Sequence, residues 1–291
     1  MPSLDDLKKR IKSVKSTQKI TKAMKMVAAA KLRKAQENAE KGRPYSQKMQ
    51  NIILNLTKSI NDRENAPKLL VGTGKDQTYL CVVLTADRGL CGGFNSNICK
   101  LAKTNFEEII SKGKSLKILT VGSKGLDQIK RQYGKFIINK FSFKEKKQIS
   151  FKEAEIIGKE IINLFNNNEF DKCLLFYNNF KNVITQIPQA QQIIPAENNS
   201  PQKVQNSLTY EFEPDEDEIL EDLLPKNIST QIFKAFLENA ASEQGSRMTA
   251  MDNATRNAGD LVDKLTINYN RSRQASITKE LIEIISGAES L

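Results

Sequence analysis

The 291-residue sequence contains no histidine and no tryptophan. Without histidine, the chain cannot form a Ser-His-Asp triad, a Cys-His catalytic pair or an imidazole-ligated metal site. Its four cysteines, at positions 81, 91, 99 and 173, include no CxxC pair and do not indicate a disulfide scaffold. The longest apolar run, Tyr79–Leu84, is far shorter than the roughly 20 residues of a membrane-spanning helix. These absences exclude several enzyme classes and predict reduced thiols.

Positive charge is concentrated at the start of the chain. Residues 1–48 contain 14 lysines and arginines but only 4 acidic residues, whereas residues 226–291 contain 8 of each. A short acidic segment, residues 211–222, contains eight aspartates and glutamates. A basic arm of this kind predicts an acidic partner, namely a nucleic acid, lipid headgroups or an acidic protein surface. The plainer interpretation, a solvated helix face, stays open at this point.

The N-terminal segment has the apolar spacing of a long helix. Leucines, isoleucine and valine recur every three or four residues over 4–14, and Ile20, Met24 and Val27 continue the pattern with a shift of phase. Pro44 is suited to a kink or a short break. Beyond it the helical spacing resumes, so the segment predicts a helix over about 3–58, which would be about 84 Å long.

The C-terminal segment repeats every seven residues. Many of the repeated positions hold small or polar side chains, which is typical of a weak coiled-coil seam. A helix over 226–286 would be about 90 Å long, close to the N-terminal one, and both flank the same intervening domain. The two are therefore predicted to pair antiparallel, with partner numbers summing to roughly 284–292. So weak a helix pair favours a rod that is surrounded by other subunits. The two series are Met251, Ala258, Leu265 and Ser272, and Met248, Thr255, Val262, Tyr269 and Ser276.

Between the helical ends, short apolar segments alternate with helical ones. Residues 78–85 have the continuous apolar character of a strand buried on both faces. Alternating strands and helices predict an open, largely parallel α/β sheet, followed by a polar connector at 196–208. Further strands are predicted at 116–121, 137–143, 173–177 and 183–187 around a turn at 178–182, and helices at 95–112, 125–131 and 153–165.

A glycine-rich turn, ADRGLCGGFN at residues 86–95, follows the first strand. Backbone N–H groups in a strand-to-helix turn can hold phosphate, but the spacing matches neither GxGxxG nor GxxxxGK[ST]. A tight turn that presents polar groups to a partner is the other interpretation. Cys91 has no histidine to activate it, so a nucleophilic role is not expected.

Three separated motifs lie near the start, the middle and the end of the chain. They are ITKAMKMVAAAK at 20–31, DRGLCGGFN at 87–95, and ASEQGSRM at 241–248 with RSRQASIT at 271–278. Together, and in this order, they resemble the γ subunit of the F-type ATP synthase. The resemblance implies an α/β fold with long helices: an antiparallel two-helix coiled coil from the N- and C-terminal segments, with a central Rossmann-like open α/β domain.

The resemblance also implies boundaries and a mechanical role. The N-terminal coiled-coil helix would occupy 1–60, the α/β domain 75–195, and the C-terminal segment with the pairing helix 209–291. The family member is a rotor shaft that transmits rotation of the membrane c-ring to the catalytic β subunits, coupling proton flow to ATP synthesis or hydrolysis. It would be peripheral, on the cytoplasmic face of a bacterial inner membrane or the matrix face of a mitochondrial one.

The implied partners are a hexameric sleeve of α and β subunits, an ε/δ-type central stalk subunit and the c-ring, through which alone the chain would meet the membrane. Mg-ATP and ADP would lie on partner subunits, so the chain is expected to bind no cofactor and no metal and to have no catalytic residue. Because the cysteine-bearing insertion of chloroplast members is absent, no thiol switch is expected.

Site residues follow from the resemblance position by position. Arg273 and Gln274 match the positions that bind a catch loop on β, where a guanidinium can engage an acidic loop with two hydrogen bonds. The full β-contact and coupling set is Met24, Lys25, Arg33, Asp87, Arg88, Cys91, Arg247, Arg273, Gln274 and Thr278. The implied c-ring contacts are Arg43, Tyr45, Tyr210, Phe212 and Glu213.

Two other classes of protein are alternatives to the rotor shaft. A nucleic-acid-binding basic coiled coil would use the lysines of the first helix on phosphates, with binding that depends steeply on salt. The sequence shows no aromatic stacking platform beside that arm, which argues against this class. A small-molecule enzyme built on the α/β domain would need a catalytic constellation, and the sequence offers none.

Overall fold

The structure is a computed structural model that describes residues 3–59, 67–146, 149–196 and 216–289. Two long helices, α1 (Leu4–Ser59) and α6 (Glu216–Glu289), flank the other elements in the chain. Contacts divide the chain into one unit of residues 1–29 with 247–291 and another of residues 30–246. The intervening elements are α2 (Lys68–Val71), β1 (Thr78–Leu84), α3 (Phe94–Ser111), β2 (Ser115–Val121), α4 (Ser123–Tyr133), β3 (Ile137–Phe141), α5 (Phe151–Asn166), β4 (Lys172–Phe180) and β5 (Gln186–Ile194).

Helix α1 starts at a side-chain cap and runs through its proline. The Ser3 hydroxyl accepts a hydrogen bond from the Asp6 N–H at 3.1 Å, which satisfies one of the free donors of the first turn. The expected break at Pro44 does not occur, because the helix continues to Ser59. Next to the proline, α1 lies directly against α6, because a Cβ on Gly42 would come within 2.8 Å of Leu237.

The five strands form one sheet in the order β3-β2-β1-β4-β5. Neighbouring strands are parallel except β4 and β5, which are antiparallel. Residues Leu80–Leu84 are fully buried, as expected for a strand covered on both faces. One face carries a core formed with α3 and α4, and the other a core formed with α5 and α6. This architecture confirms the predicted fold class.

The hairpin between β4 and β5 differs from the prediction. Strand β4 continues to Phe180 and β5 begins at Gln186, so the turn lies about three residues later than expected. The turn is fixed by Asn182, whose side-chain oxygen accepts hydrogen bonds from the N–H groups of Ile184 and Thr185. The glutamine-rich β5 lacks the apolar pattern of a buried strand because it lies at the edge of the sheet.

In the unit of residues 1–29 with 247–291, segments of α1 and α6 run antiparallel. The hydroxyls of Thr21 and Thr255 are 2.8 Å apart, and Lys25 Nζ lies 2.6 Å from Asp252 Oδ1. Partner numbers therefore sum to 276–277, and the predicted register of roughly 284–292 is wrong by about ten residues. The cause is at the other end of α6, which starts at Glu216 rather than near 226.

In this unit the buried face of α6 was predicted correctly from the sequence, whereas that of α1 was not. On α6 the predicted heptads are correct, since Met251, Ala258, Val262 and Leu265 are buried. On α1 the expected phase shift is wrong, because Ile20 and Val27 are 57% and 55% exposed. The α1 seam keeps one phase instead. Its buried positions in this unit are Leu7, Thr21 and Ala28.

Candidate functional site

A buried amide closes the cleft between β1 and β4. In doubly wound sheets, ligands bind at the carboxyl ends of the strands, where successive connections move to opposite faces. The β1–β4 ladder ends at the pair Val83 and Phe176. Beyond it, the Asn239 side chain of α6 accepts a hydrogen bond from the Asn178 N–H at 2.7 Å and donates one to the Leu84 carbonyl at 3.0 Å. Helix α6 thus occupies the cleft that a ligand would use.

The remaining backbone groups at the end of β4 are also paired with helix side chains. The Ser242 hydroxyl donates to the Asn178 carbonyl at 3.3 Å, and the Phe180 N–H donates to Glu238 Oε2 at 3.0 Å. Arg43 Nη2 donates to the Phe180 carbonyl at 3.0 Å. Buried backbone groups need such partners, because an unpaired one costs free energy. Together with Ser246, which binds the glycine-rich turn, these side chains form a set that we call the joint. Its members are Arg43, Glu238, Asn239, Ser242 and Ser246.

Arg43 and Glu238 form the ion pair of the joint. Arg43 Nε lies 2.8 Å from Glu238 Oε1, and Nη2 lies 3.1 Å from Oε2, so the guanidinium binds both carboxylate oxygens. This hydrogen bonding raises the pKa of Arg43. Burial lowers the pKa of nearby Lys234, and the charge of Arg43 lowers it further against the opposing effect of Glu238. The Arg43 guanidinium is thus engaged within the chain, and its predicted contact with a c-ring stays a prediction.

The glycine-rich turn is fastened to α6 and closed by an asparagine. Ser246 Oγ donates to the Cys91 carbonyl at 2.6 Å. The Asn95 side chain accepts from the Ala86 N–H at 2.9 Å and donates to Cys91 Sγ at 3.2 Å. The Cys91 side chain is buried, whereas Leu90, with a φ of +60°, is exposed, and the predicted contact of Cys91 with β stays a prediction.

The half-buried Asp87 also binds groups within the chain. One carboxylate oxygen accepts from the Ser123 N–H and the Ser142 hydroxyl, both at 2.8 Å, and the other accepts from the Phe143 N–H at 3.0 Å. The carboxylate thus sits at the N-terminus of α4, where negative charge is favourable. Of the charged residues predicted in this turn, Arg88 is the one whose side chain lies at the surface.

Lys25 and Asp252 form an ion pair in the unit of residues 1–29 with 247–291. The pair is part-buried, and Arg256 also binds the Asp252 carboxylate. Hydrogen bonding to Lys25, and then to Arg256, lowers the pKa of Asp252. Lys25 is therefore engaged within the chain, while Met24 and Arg247 are half-buried.

The same unit presents polar and apolar side chains at its surface. Arg273, Gln274 and Thr278 are exposed, and the Thr278 hydroxyl donates to the Gln274 carbonyl at 3.0 Å. Large exposed apolar residues accompany them on both helices, which is typical of a surface that another protein covers. They are Ile20, Met26, Val27, Leu261, Ile267, Ile277, Leu281, Ile282, Ile284 and Ile285.

The remaining predicted site residues lie on α1 or outside the described residues. Arg33 and Tyr45, on α1, are exposed. Residues 216–222 of the acidic segment lie in α6, whose Leu220 and Leu224 pack in a small core with α1 and α2. Three predicted c-ring contacts lie outside the described residues, namely Tyr210, Phe212 and Glu213.

Two features are absent from the residues that the structure describes, which are 3–59, 67–146, 149–196 and 216–289. Within those ranges, no group of three or more cysteine and acidic side chains has the arrangement of a metal site. None of the described helices has a stretch both long and apolar enough to span a bilayer.

Sequence reasoning missed four residues of the joint and Asn178. Their one local signal is a polar side chain within an otherwise apolar pattern, as at Asn239 on α6. The four α6 side chains bind groups of the sheet and the turn that lie 58 to 155 residues away in the chain. These side chains are Glu238, Asn239, Ser242 and Ser246. Such contacts have no signature in a single sequence.

Comparison with known proteins gives full-length similarity. A family model described as ATP synthase matches residues 3–291. An ATP synthase gamma chain of Pelagibacter ubique (strain HTCC1062) is 72% identical over 291 residues, covering all of both chains. One of Rhizobium leguminosarum bv. trifolii (strain WSM2304) is 58% identical over 294 residues, again covering both.

Solved structures agree in fold. A chain of the Tetrahymena thermophila mitochondrial ATP synthase, from its central stalk and c-ring, is 26% identical with a TM-score of 0.59, covering 81% of this chain and 99% of that one. A chain of the Euglena gracilis mitochondrial ATP synthase, solved with OSCP, F1 and c-ring, has a TM-score of 0.67 at 19% identity. It covers 99% of this chain and 94% of that one and shares its fold.

Proposed function

The chain belongs to the ATP synthase gamma chains, and from this premise we propose that it is the central rotor shaft of an F-type ATP synthase. In this role it transmits rotation of the c-ring to the catalytic β subunits and so couples proton flow to ATP synthesis or hydrolysis. The comparisons give the nucleic-acid alternative no support.

The observation that carries the shaft proposal is the surface of the unit of residues 1–29 with 247–291. Exposed isoleucines, leucines and valine lie on both helices beside exposed Arg273, Gln274 and Thr278. Apolar area of this kind is favourable when a partner removes it from water. A sleeve of α and β subunits would cover the apolar side chains, and an acidic loop on β would engage Arg273 and Gln274.

The α/β domain supports a non-catalytic role. Its strand-end cleft is filled by Asn239, and the glycine-rich turn is closed by Asn95 and fastened by Ser246. We therefore assign ATP and its magnesium to the partner subunits and none to this chain.

The other assignments follow the family. The partners are the α and β subunits, an ε/δ-type stalk subunit and the c-ring. The high identity to bacterial gamma chains favours the cytoplasmic face of a bacterial inner membrane, reached through the c-ring. Of the positions predicted for the c-ring, Tyr45 is exposed and Arg43 is bound to Glu238 within the chain, and both stay in the proposal.

The first test combines purified α and β subunits with and without the chain. We expect the chain to co-elute with the hexamer at about one copy and to raise ATP turnover, while hydrolysing no ATP alone. A chain that neither co-elutes nor changes turnover would contradict the shaft function.

A second test addresses the catch residues. The double variant Arg273→Ala/Gln274→Ala should lower ATP-driven proton pumping per ATP hydrolysed in the membrane-bound complex. Arg271→Ala is the matched control, because it removes an exposed arginine from the same helix at a position outside the predicted catch. Equal pumping by all three complexes would remove Arg273 and Gln274 from the mechanism.

A further inference from the structure

The joint has a geometry suited to carrying force. Its four α6 members lie at positions 238, 239, 242 and 246, which share one side of a helix and span about 12 Å of its length. Each binds a fixed backbone group of the α/β domain, at the ends of β1 and β4 or in the glycine-rich turn. Bonds on one side resist rotation of the helix about its axis, and bonds spread along it resist tilting.

Asn239 is the α6 member of the joint that binds both strands. Its amide binds β1 through the Leu84 carbonyl and β4 through the Asn178 N–H, so any turn of α6 must break both bonds at once. An apolar side chain there would pack without fixing the angle of the helix, whereas a hydrogen-bonded one is directional.

We propose that the joint is the connection through which torque passes between α6 and the α/β domain, with Asn239 as its positioning residue. This inference rests on the proposed shaft function and adds to it the place where the load is borne. Arg43 contributes the tie to α1, because it binds both Glu238 and the end of β4.

The test measures rotation of the complex of this chain with α and β subunits under increasing viscous drag. A bead is attached through a single introduced cysteine, Lys112→Cys, at the exposed end of α3. All four native cysteines are buried, so the new thiol is labelled selectively. The first variant is Asn239→Ala. The second, Ser246→Ala, is a milder change that keeps the Asn239 amide.

Thr230→Val is the matched control. Thr230 is also buried on α6, but its hydroxyl donates to the Lys226 carbonyl of the same helix at 2.8 Å and ties nothing to the sheet. At negligible drag, all complexes should rotate and hydrolyse ATP at the wild-type rate. At high drag, the torque delivered to the bead should fall at least twofold for Asn239→Ala and less for Ser246→Ala, and should be unchanged for Thr230→Val.

Each other outcome overturns the inference. Wild-type torque at every load in both joint variants would show that the load passes elsewhere. An equal fall in Asn239→Ala and Thr230→Val would show general loosening of α6. If Asn239→Ala fails to assemble, an unchanged torque for Ser246→Ala decides against the joint. Absence of rotation with the unmodified chain would refute the shaft function itself, and the joint with it.

Discussion

Replacing Arg43 with methionine is expected to destabilise the folded chain itself. The Glu238 side chain is 4% exposed, so the variant leaves a buried carboxylate whose remaining donor in the joint is the Phe180 N–H. Removing one partner of a buried ion pair costs about 3–5 kcal/mol. The Arg43 side chain is 38% exposed, so solvent screens the pair, and we expect a loss of about 2–3 kcal/mol.

The assay is urea unfolding of the full chain followed by circular dichroism, since the sequence has no tryptophan. A double-mutant cycle of Arg43→Met, Glu238→Gln and the combined variant isolates the pair. Glutamine keeps an oxygen that can accept from the Phe180 N–H but carries no charge. The combined variant should therefore be more stable than Arg43→Met alone, with a coupling energy of about 2 kcal/mol.

One result would refute this reasoning. If Arg43→Met changes the free energy of unfolding by less than about 0.5 kcal/mol, as is usual for a surface residue, and the cycle shows no coupling, the pair is not structural. The Arg43 guanidinium would then be available to a partner such as the c-ring predicted from the resemblance. Urea unfolding of the chain alone therefore distinguishes an Arg43 that stabilises the fold from one that is available to a partner.

Three further predictions concern stability and reactivity. Gly122→Ala should cost at least about 3 kcal/mol in urea unfolding, because its φ is +99° and the new Cβ would clash with the backbone carbonyl oxygen of Thr85. Gly134→Ala, where the space is open, should change little. The lowered pKa of Asp252, caused first by Lys25, means that its ion pair stabilises the fold above the unfolded value of about pH 3.9. This stability is lost as pH falls through the lowered folded value, so Asp252→Asn should reduce the acid dependence of thermal unfolding below about pH 4. Burial raises the pKa of Cys99 to about 11, and all four thiols are buried, so a thiol reagent at pH 8 should modify them only after denaturation.

The types of the elements were predictable because they depend on local apolar patterns, whereas the order of the strands in the sheet was not predicted. The run Leu80–Leu84 alone identifies a strand covered on both faces, and the heptads of α6 identify its seam. The α1 seam was misassigned for a physical reason. Ile20 and Val27 are apolar yet exposed, so a pattern that equates apolar with buried follows the wrong face of the helix.

The joint could not be predicted, because its bonds are long-range and directional. Asn239 pairs with Leu84 across 155 residues of sequence, and Arg43 pairs with Glu238 across 195. A motif records which residue is present and not which group it binds, so the resemblance did not predict the bond of Arg43 to Glu238 within the chain. The roles predicted for exposed Arg273 and Gln274 stay predictions.

The seam of the unit of residues 1–29 with 247–291 has an unusual distribution of side chains. Thr21 bonds to Thr255 and Lys25 to Asp252 within the seam, while Ile20 and Val27 face outward. A helix pair stabilised only by its own contacts would place the isoleucine and valine inside, since burial of apolar area provides most of the stabilisation. Polar pairs fix a register at some cost in stability, as the directional bonds of the joint fix an angle. Apolar side chains left outside gain stability when a third surface covers them, so this unit favours a register set by its own seam and a stability completed by a partner.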